Sequence, residues 1–294
     1  MRKIISLAMN INCKMPEGFI KQMIKYVFDI RGVTLIDNIR LFTNIPIING
    51  LNYILYKLNI NISYSFLQNQ LILIKYRDKD YSPKFLIRPY SGDLYDVLSE
   101  KYELSNWLSP VLNEIRNAII VDVGAYIGGY TVRACKKAGQ VIAIEPLEDA
   151  VLLLRKNVEL NGCQNVNIIK KAVWKEKGIV LMKQAKFNEG GSAISPIGDI
   201  MVEADTLDNI IRELGISHID FLKIDIEGAE AEAIQGMRET LKITDYLMIE
   251  LRSSTLWLIN ELNKLGFKVL DCVNYGNFIN VFLHNENKLN NTHL

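Results

Sequence analysis

Histidine and cysteine are scarce in this chain, with three of one and four of the other in 294 residues. Cys13, Cys135, Cys163 and Cys272 show no CxxC spacing, and the histidines are equally scattered. That argues against a structural zinc site. The cysteines also lack the rhythm of a disulfide framework, so they read as reduced thiols and the expected setting is cytoplasmic. No apolar run approaches the ~20 residues of a membrane-spanning helix. The stretch from Met1 to Met9 has a basic end but too short an apolar run for a secretory signal. Excess charge is missing as well: 34 basic residues stand against 33 acidic ones. A polyanionic partner is therefore not indicated. Residues 1–116 hold 15 basic and 10 acidic side chains, and the remainder 19 and 23. This mild asymmetry suits a solvated surface as well as a phosphate-binding one.

What is present is 49% hydrophobic and 23% charged. Such a chain can bury one large domain, or one domain plus a smaller one. The most informative stretch runs from Val121 to Thr131. An apolar run, 118–123, enters a turn at Gly124, and Gly128 and Gly129 follow where a helix should begin. Glycines at such a turn let a ligand approach the backbone. The spacing is Asp-x-Gly-x-x-x-Gly, not the Gly-x-Gly-x-x-Gly that seats a dinucleotide pyrophosphate. A nucleoside carrying an ammonium and a sulfonium, such as S-adenosylmethionine, suits a turn with the Asp122 carboxylate beside it. A second short strand, 141–144, ends in Glu145-Pro146. At that distance an acidic residue meets the ribose hydroxyls, which a carboxylate accepts in charge-assisted bonds. The expected cofactor residues are Asp122, Gly124, Ala125, Tyr126, Gly128, Glu145 and Pro146, with Ala172 beyond the third strand.

From about Asn117 onward, strand and helix patterns alternate. Strand-like runs lie at 118–123, 141–144, 166–169, 221–224, 246–251, 267–270 and 278–283. Alternation of this kind predicts a mainly parallel sheet with helices on both faces. Leu147 to Asn161 reads as a helix stopped by Gly162, and Thr206 as the cap of another. The last two strands are joined too closely for a parallel crossover and should form an antiparallel hairpin. Gly178 to Met182 reads as an edge strand, followed by an irregular stretch around Asn188.

The first part of the chain is an α+β extension. Phe19 to Phe28 marks an amphipathic helix, strand-like runs fall near 63–67, 70–76 and 84–88, and Asp93 to Glu103 reads as helix. The expected division is an extension over 1–92 that selects substrate, a catalytic domain over 93–284, and a frayed polar tail over 285–294.

A further run, Ile219-Asp-Phe-Leu-Lys-Ile-Asp-Ile-Glu-Gly-Ala-Glu230, follows Thr206-Leu-Asp208 and precedes Met248-Ile-Glu250. With Asp122-Val-Gly-Ala125 and Glu145-Pro146, this resembles the FkbM family of S-adenosylmethionine-dependent methyltransferases over about 95–283. The family's asparagine after Gly-Ala is Tyr126 here. The resemblance implies a class I methyltransferase fold: an α/β, Rossmann-like, mainly parallel seven-stranded sheet ending in the antiparallel hairpin. It also implies O-methylation of a sugar, glycolipid or secondary-metabolite hydroxyl.

Methyl transfer from sulfonium to oxygen needs a collinear arrangement and a base for the hydroxyl proton. Asp225, at the carboxyl end of the fourth strand, is the best candidate, with Glu227 two residues on. Lys223 points to the same face and would hold Asp225 ionised. Glu250, at the end of the fifth strand, completes an acidic rim. The plainer alternative is a structural network of helix-capping carboxylates, which suits Glu227 and Glu230. A third is that Asp225, Glu227 and Glu250 hold Mg²⁺; the spacing permits this without demanding it. His218 reads as a surface or packing residue.

A nicotinamide dehydrogenase wants a glycine pattern that is not here. A nucleic-acid methyltransferase acting on base amines carries Asn/Asp-Pro-Pro-Tyr/Phe where this chain has Asp225-Ile-Glu-Gly228, and a basic stripe is lacking. A non-catalytic nucleoside-binding or scaffold protein would be favoured by loss of Asp122, Gly124 or Glu145, and all three are present. The sequence leaves the oligomeric state open.

Overall fold

The structure is a computed structural model that describes residues 30–42, 71–76, 82–89, 91–100, 103–183 and 191–287. Strands β1 (Ile30–Gly32), β2 (Ile72–Tyr76) and β3 (Lys84–Ile87) form an antiparallel sheet. Helices α1 (Asp93–Ser99) and α2 (Ser109–Glu114) follow, with a π-helical turn over Leu104–Leu108 between them. Then come β4 (Ile119–Val123), α3 (Gly129–Ala134), β5 (Gln140–Ile144), α4 (Glu148–Leu160) and β6 (Val166–Ile169). Four short strands interrupt: β7 (Ala172–Val173), β8 (Gly178–Lys183), β9 (Ala193–Ile194) and β10 (Ile200–Asp205). The chain continues with α5 (Leu207–Glu213), β11 (Ile219–Ile224), α6 (Glu230–Ala233), α7 (Arg238–Lys242), β12 (Thr244–Arg252), α8 (Leu258–Lys264), β13 (Phe267–Asn274) and β14 (Phe278–Asn285).

The main sheet has seven strands in the order β13-β14-β12-β11-β4-β5-β6. Its pairs from β12 to β6 are parallel, and β14 runs antiparallel between β12 and β13. The class I methyltransferase architecture expected from the sequence is thus present. The central strands are apolar without alternation because both faces are covered. On one face Val121, Ile144 and Leu222 pack with Ile210 of α5 and Leu258 of α8. On the other, Phe221 and Phe282 stack with Trp107 and Tyr130. Local signals act as expected: the Thr206 hydroxyl accepts the Asn209 amide at 3.1 Å, and Gly162 takes φ +61° after α4.

The antiparallel first sheet shares its core with the second half. Ile72, Ile74 and Phe85 pack in one cluster with Ile127, Leu153 and Leu154. Two asparagines at the end of α4 clasp β3. Asn157 accepts the Leu86 amide at 2.7 Å and donates to the Leu86 carbonyl at 3.3 Å. Asn161 does the same for Lys84, at 3.0 and 2.7 Å.

Four expectations are corrected. Gly178 to Met182 is not an edge strand: β8 lies inside a separate four-stranded sheet of order β7-β10-β8-β9, where β10 pairs it on one side and β9 on the other. Fraying does not begin at residue 285, because Asn285 is buried in β14 and its side chain donates to the Thr244 carbonyl at 3.1 Å. Cys135 and Cys163 are not reduced thiols. Packing of α3 beside α4 brings positions 28 apart to a Cα separation of 5.7 Å, and they form a disulfide. The cysteine argument for a cytoplasmic setting therefore falls. Asp93 to Glu103 is not one regular helix, since α1 stops at Ser99 and a π-helical turn begins at Leu104. The expected helix at 19–28 and the strand at 63–67 lie outside the described residues. Among the described residues, no helix is long and apolar enough to cross a membrane.

Candidate active site

The site forms where β4 ends and its neighbours diverge. Gly124 has φ +80°, and a Cβ there would lie 1.8 Å from the Asp225 carbonyl oxygen. The close approach that requires glycine is therefore to the adjacent chain segment rather than to a ligand. The amides of Gly124 and Ala125 both donate to the Ile144 carbonyl, at 2.9 and 3.0 Å. Gly128, at φ +97°, opens α3. Gly129 has a different reason: a Cβ would meet the Glu100 carboxylate at 1.7 Å.

Glu145 stands at the tip of β5, buried and on the cavity wall. Its Oε2 accepts the Tyr126 amide at 3.0 Å and its Oε1 the Leu147 amide at 2.9 Å. Each oxygen keeps a second lone pair for a ligand. Burial pushes its carboxyl up to about 7, against the pull of those two amides. Tyr126, at φ +49°, takes the hydroxyl of the turn outward to the first sheet. Its OH donates to Asp93 Oδ1 at 2.5 Å and accepts from Arg88 Nη2 at 2.7 Å. Arg88 and Asp93 are themselves a buried ion pair at 2.8 Å.

Lys223 lies beneath the turn, 2% exposed. Its Nζ donates to the Gly124 carbonyl at 3.0 Å and sits 3.5 Å from Asp122 and 3.4 Å from Asp225. Burial alone would lower its pKa, but the Asp225, Asp122 and Glu100 carboxylates outweigh burial and raise it. It stays charged and ties β11 to the turn. Asp122 accepts the Thr131 hydroxyl at 2.6 Å and holds α3 to β4.

The cavity above these groups encloses about 1200 Å³ of empty space, part of it open to solvent. Of the residues singled out in the sequence, Gly124, Tyr126, Glu145, Pro146, Ala172, Lys223, Asp225 and Glu227 line it. Asp122, Ala125 and Gly128 do not: they lie behind the wall and shape the turn. Glu230 turns back to its own loop, accepting the Gly228 amide at 3.0 Å. His218 lies at the amino end of the central strand β11, away from the cavity, its Nε2 3.2 Å from both Asp220 and Asp245.

The far wall was mostly missed in the sequence. Asp96, Glu100 and Glu103 face the cavity from the segment before β4. Their spacing, i, i+4 and i+7, marks one helical face and was the available signal. Burial pushes Glu100 up to about 8 despite Lys223 and Arg133 nearby. Glu103 accepts the Tyr275 hydroxyl and, at 3.0 Å, the Asn280 amide. Glu227 pairs with Arg252. Burial and the neighbouring Asp225 carboxylate raise both Glu227 and Glu250 above the ordinary range.

A "2-O-methyltransferase NoeI" of Sinorhizobium fredii is 37% identical over 60 residues, 20% of this chain and 25% of that protein. The chain thus matches only a quarter of that relative's length. Among solved structures, an rRNA methylase from Streptococcus thermophilus aligns at TM-score 0.42 and 13% identity, over 60% of this chain and 91% of that one. A tRNA (uracil-54, C5)-methyltransferase from Pyrococcus abyssi aligns at 0.41 and 15%, over 72% and 44%. At such scores neither bears on what this chain acts upon. The "Methyltransferase FkbM domain" family model matches residues 122–286, more than half of the chain, so the chain belongs to the FkbM methyltransferase family.

Proposed function

We propose that this methyltransferase uses S-adenosylmethionine to methylate a hydroxyl oxygen of a sugar, glycolipid or secondary metabolite. The observation that carries the reading is the pairing of two features in one cavity: the Glu145 carboxylate at the tip of β5, and the carboxylates of Asp225, Glu227 and Glu250 at the ends of β11 and β12. The first takes the ribose hydroxyls. The second group faces the acceptor. The 2-O-methyltransferase relative supports oxygen as the methylated atom.

Bound beside Glu145, S-adenosylmethionine would supply a methyl group on a sulfonium, open to in-line displacement by the acceptor oxygen with the carbon–sulfur electron pair left on sulfur as S-adenosylhomocysteine. The hydroxyl proton passes to a carboxylate, for which Asp225 is our candidate. Lys223 positions Asp225 and does not itself face the acceptor. Asp96, Glu100 and Glu103 line the cavity, and we assign them a part in acceptor selection. The test is calorimetric titration with S-adenosylhomocysteine and with NAD, then an acceptor screen by mass spectrometry for a gain of one methyl group. Binding of NAD in place of S-adenosylhomocysteine would overturn the reading.

A further inference from the structure

Asp225, Glu227 and Glu250 each offer one carboxylate oxygen, and these three atoms lie within 4.8 Å of one another. Carboxylates brought so close repel unless a cation stands among them or one of them keeps its proton. Lys223 flanks Asp225 and Arg252 flanks Glu227. Glu250 has no such neighbour in its hydrogen-bond shell: its Oε1 is buried without a partner, on a residue 5% exposed that lines the cavity.

A different strand supplies an independent sign of a missing ligand. Asn280 stands directly opposite Glu250 in the β12–β14 pair. Its Nδ2 is spent on Glu103. Its Oδ1 has no partner, although the residue is 7% exposed and lines the same cavity. The open positions are an amide oxygen and a carboxyl oxygen, and both can ligate a cation. A water would satisfy the amide oxygen but bring no positive charge to the carboxylates. An ammonium carries a single charge against three carboxylates. A hard dication meets both needs, and three carboxylates with an amide oxygen are an all-oxygen ligand set of the kind Mg²⁺ or Mn²⁺ takes.

We propose that Asp225, Glu227, Glu250 and Asn280 Oδ1 form a binding site for a hard divalent cation at the acceptor end of the cavity. The proposal rests on the methyltransferase reading above, because the ion's use is to take the acceptor hydroxyl as a further ligand and make it more acidic. A carboxylate has two oxygens, so ligation of Asp225 through one leaves the other for the hydroxyl proton.

The experiment is a titration of the EDTA-treated, dialysed full chain with Mn²⁺, read by electron paramagnetic resonance and calorimetry. S-adenosylhomocysteine binding is measured on the same sample. We expect one Mn²⁺ per chain, displaced by Mg²⁺, with affinity reduced about tenfold or more in Glu250→Gln. Asn280→Asp adds a charge to the set and should tighten Mn²⁺; it carries the test if Glu250→Gln does not fold. A protein that binds S-adenosylhomocysteine but no Mn²⁺ overturns the cation site alone. So does Mn²⁺ affinity that is the same in wild type and both variants. Loss of S-adenosylhomocysteine binding by the wild-type chain would instead overturn the cofactor reading, whatever Mn²⁺ does.

Discussion

Glu145, Tyr126 and Lys223, at the proposed cofactor end of the cavity, already have protein partners, whereas Glu103, Glu250 and Asn280, at the proposed acceptor end, each keep a buried oxygen without one. The first set is fixed before any ligand arrives. Its geometry follows from backbone amides and a buried lysine, so little reorganisation accompanies binding. The second set carries the cost of unpaired buried groups until something binds. The contrast teaches which end is preorganised and which end is complete only with its ligand.

The strongest way to break this contrast is at Gly124. Gly124→Ala places a methyl group where the Asp225 carbonyl stands and asks alanine to hold φ +80°. Loss of roughly 3 kcal/mol or more of stability is expected in a denaturant melt, with S-adenosylhomocysteine binding lost as well. A stable variant would show that the turn can move aside.

Asp225→Asn separates the two ends. Turnover should fall roughly 10²–10⁴-fold while S-adenosylhomocysteine affinity stays close to wild type. Normal turnover in this variant would leave Asp225 a structural role only.

At the cofactor end, Glu145→Gln should weaken S-adenosylhomocysteine by roughly 1.5–3 kcal/mol, the range for a hydrogen bond to a charged group. The wild-type affinity should also depend on pH. The folded carboxyl lies at about 7 against an ordinary 4.5, so the free protein holds a proton there that the unfolded chain has released. Its contribution to stability is full below 4.5 and is lost as pH rises through 7. Ligand hydroxyls donate to the ionised form, so affinity should rise between pH 6 and 8, by at most about tenfold per unit. Calorimetry across that range checks it, and a slope that persists in Glu145→Gln would assign the proton elsewhere.

The smallest effect expected is that of Tyr126→Phe. It removes one hydroxyl between the turn and the Arg88–Asp93 pair, worth about 1 kcal/mol of stability in denaturant, while the ion pair remains. A larger drop would mean that the first sheet depends on this hydroxyl for its docking.

Features governed by neighbours in the chain were legible in the sequence. The strand, glycine turn and helix from Val121 to Thr131, Glu145 at a strand tip, and Asp225 at another all follow from local pattern. Features made by pairing distant segments were not. Asn280 acquires meaning only from its register against Glu250, and Cys135 from the packing that brings Cys163 beside it. Asp122 misled for the same reason. Beside a glycine turn it reads as a ligand residue, but Lys223 from β11 and Thr131 from α3 enclose it. The carboxylates of Asp96, Glu100 and Glu103 resemble the solvated face of a helix until the fold shows which way that face turns.

The clasp of Asn157 and Asn161 on β3 bears on how this chain avoids its own kind. An outer strand offers a row of free amides and carbonyls on which another chain can build. Here two side chains, one helical turn apart, meet the amide and carbonyl of alternate residues Lys84 and Leu86, as a neighbouring strand would. The helix imitates a strand, and the edge is closed to intermolecular sheet growth without a further strand being added.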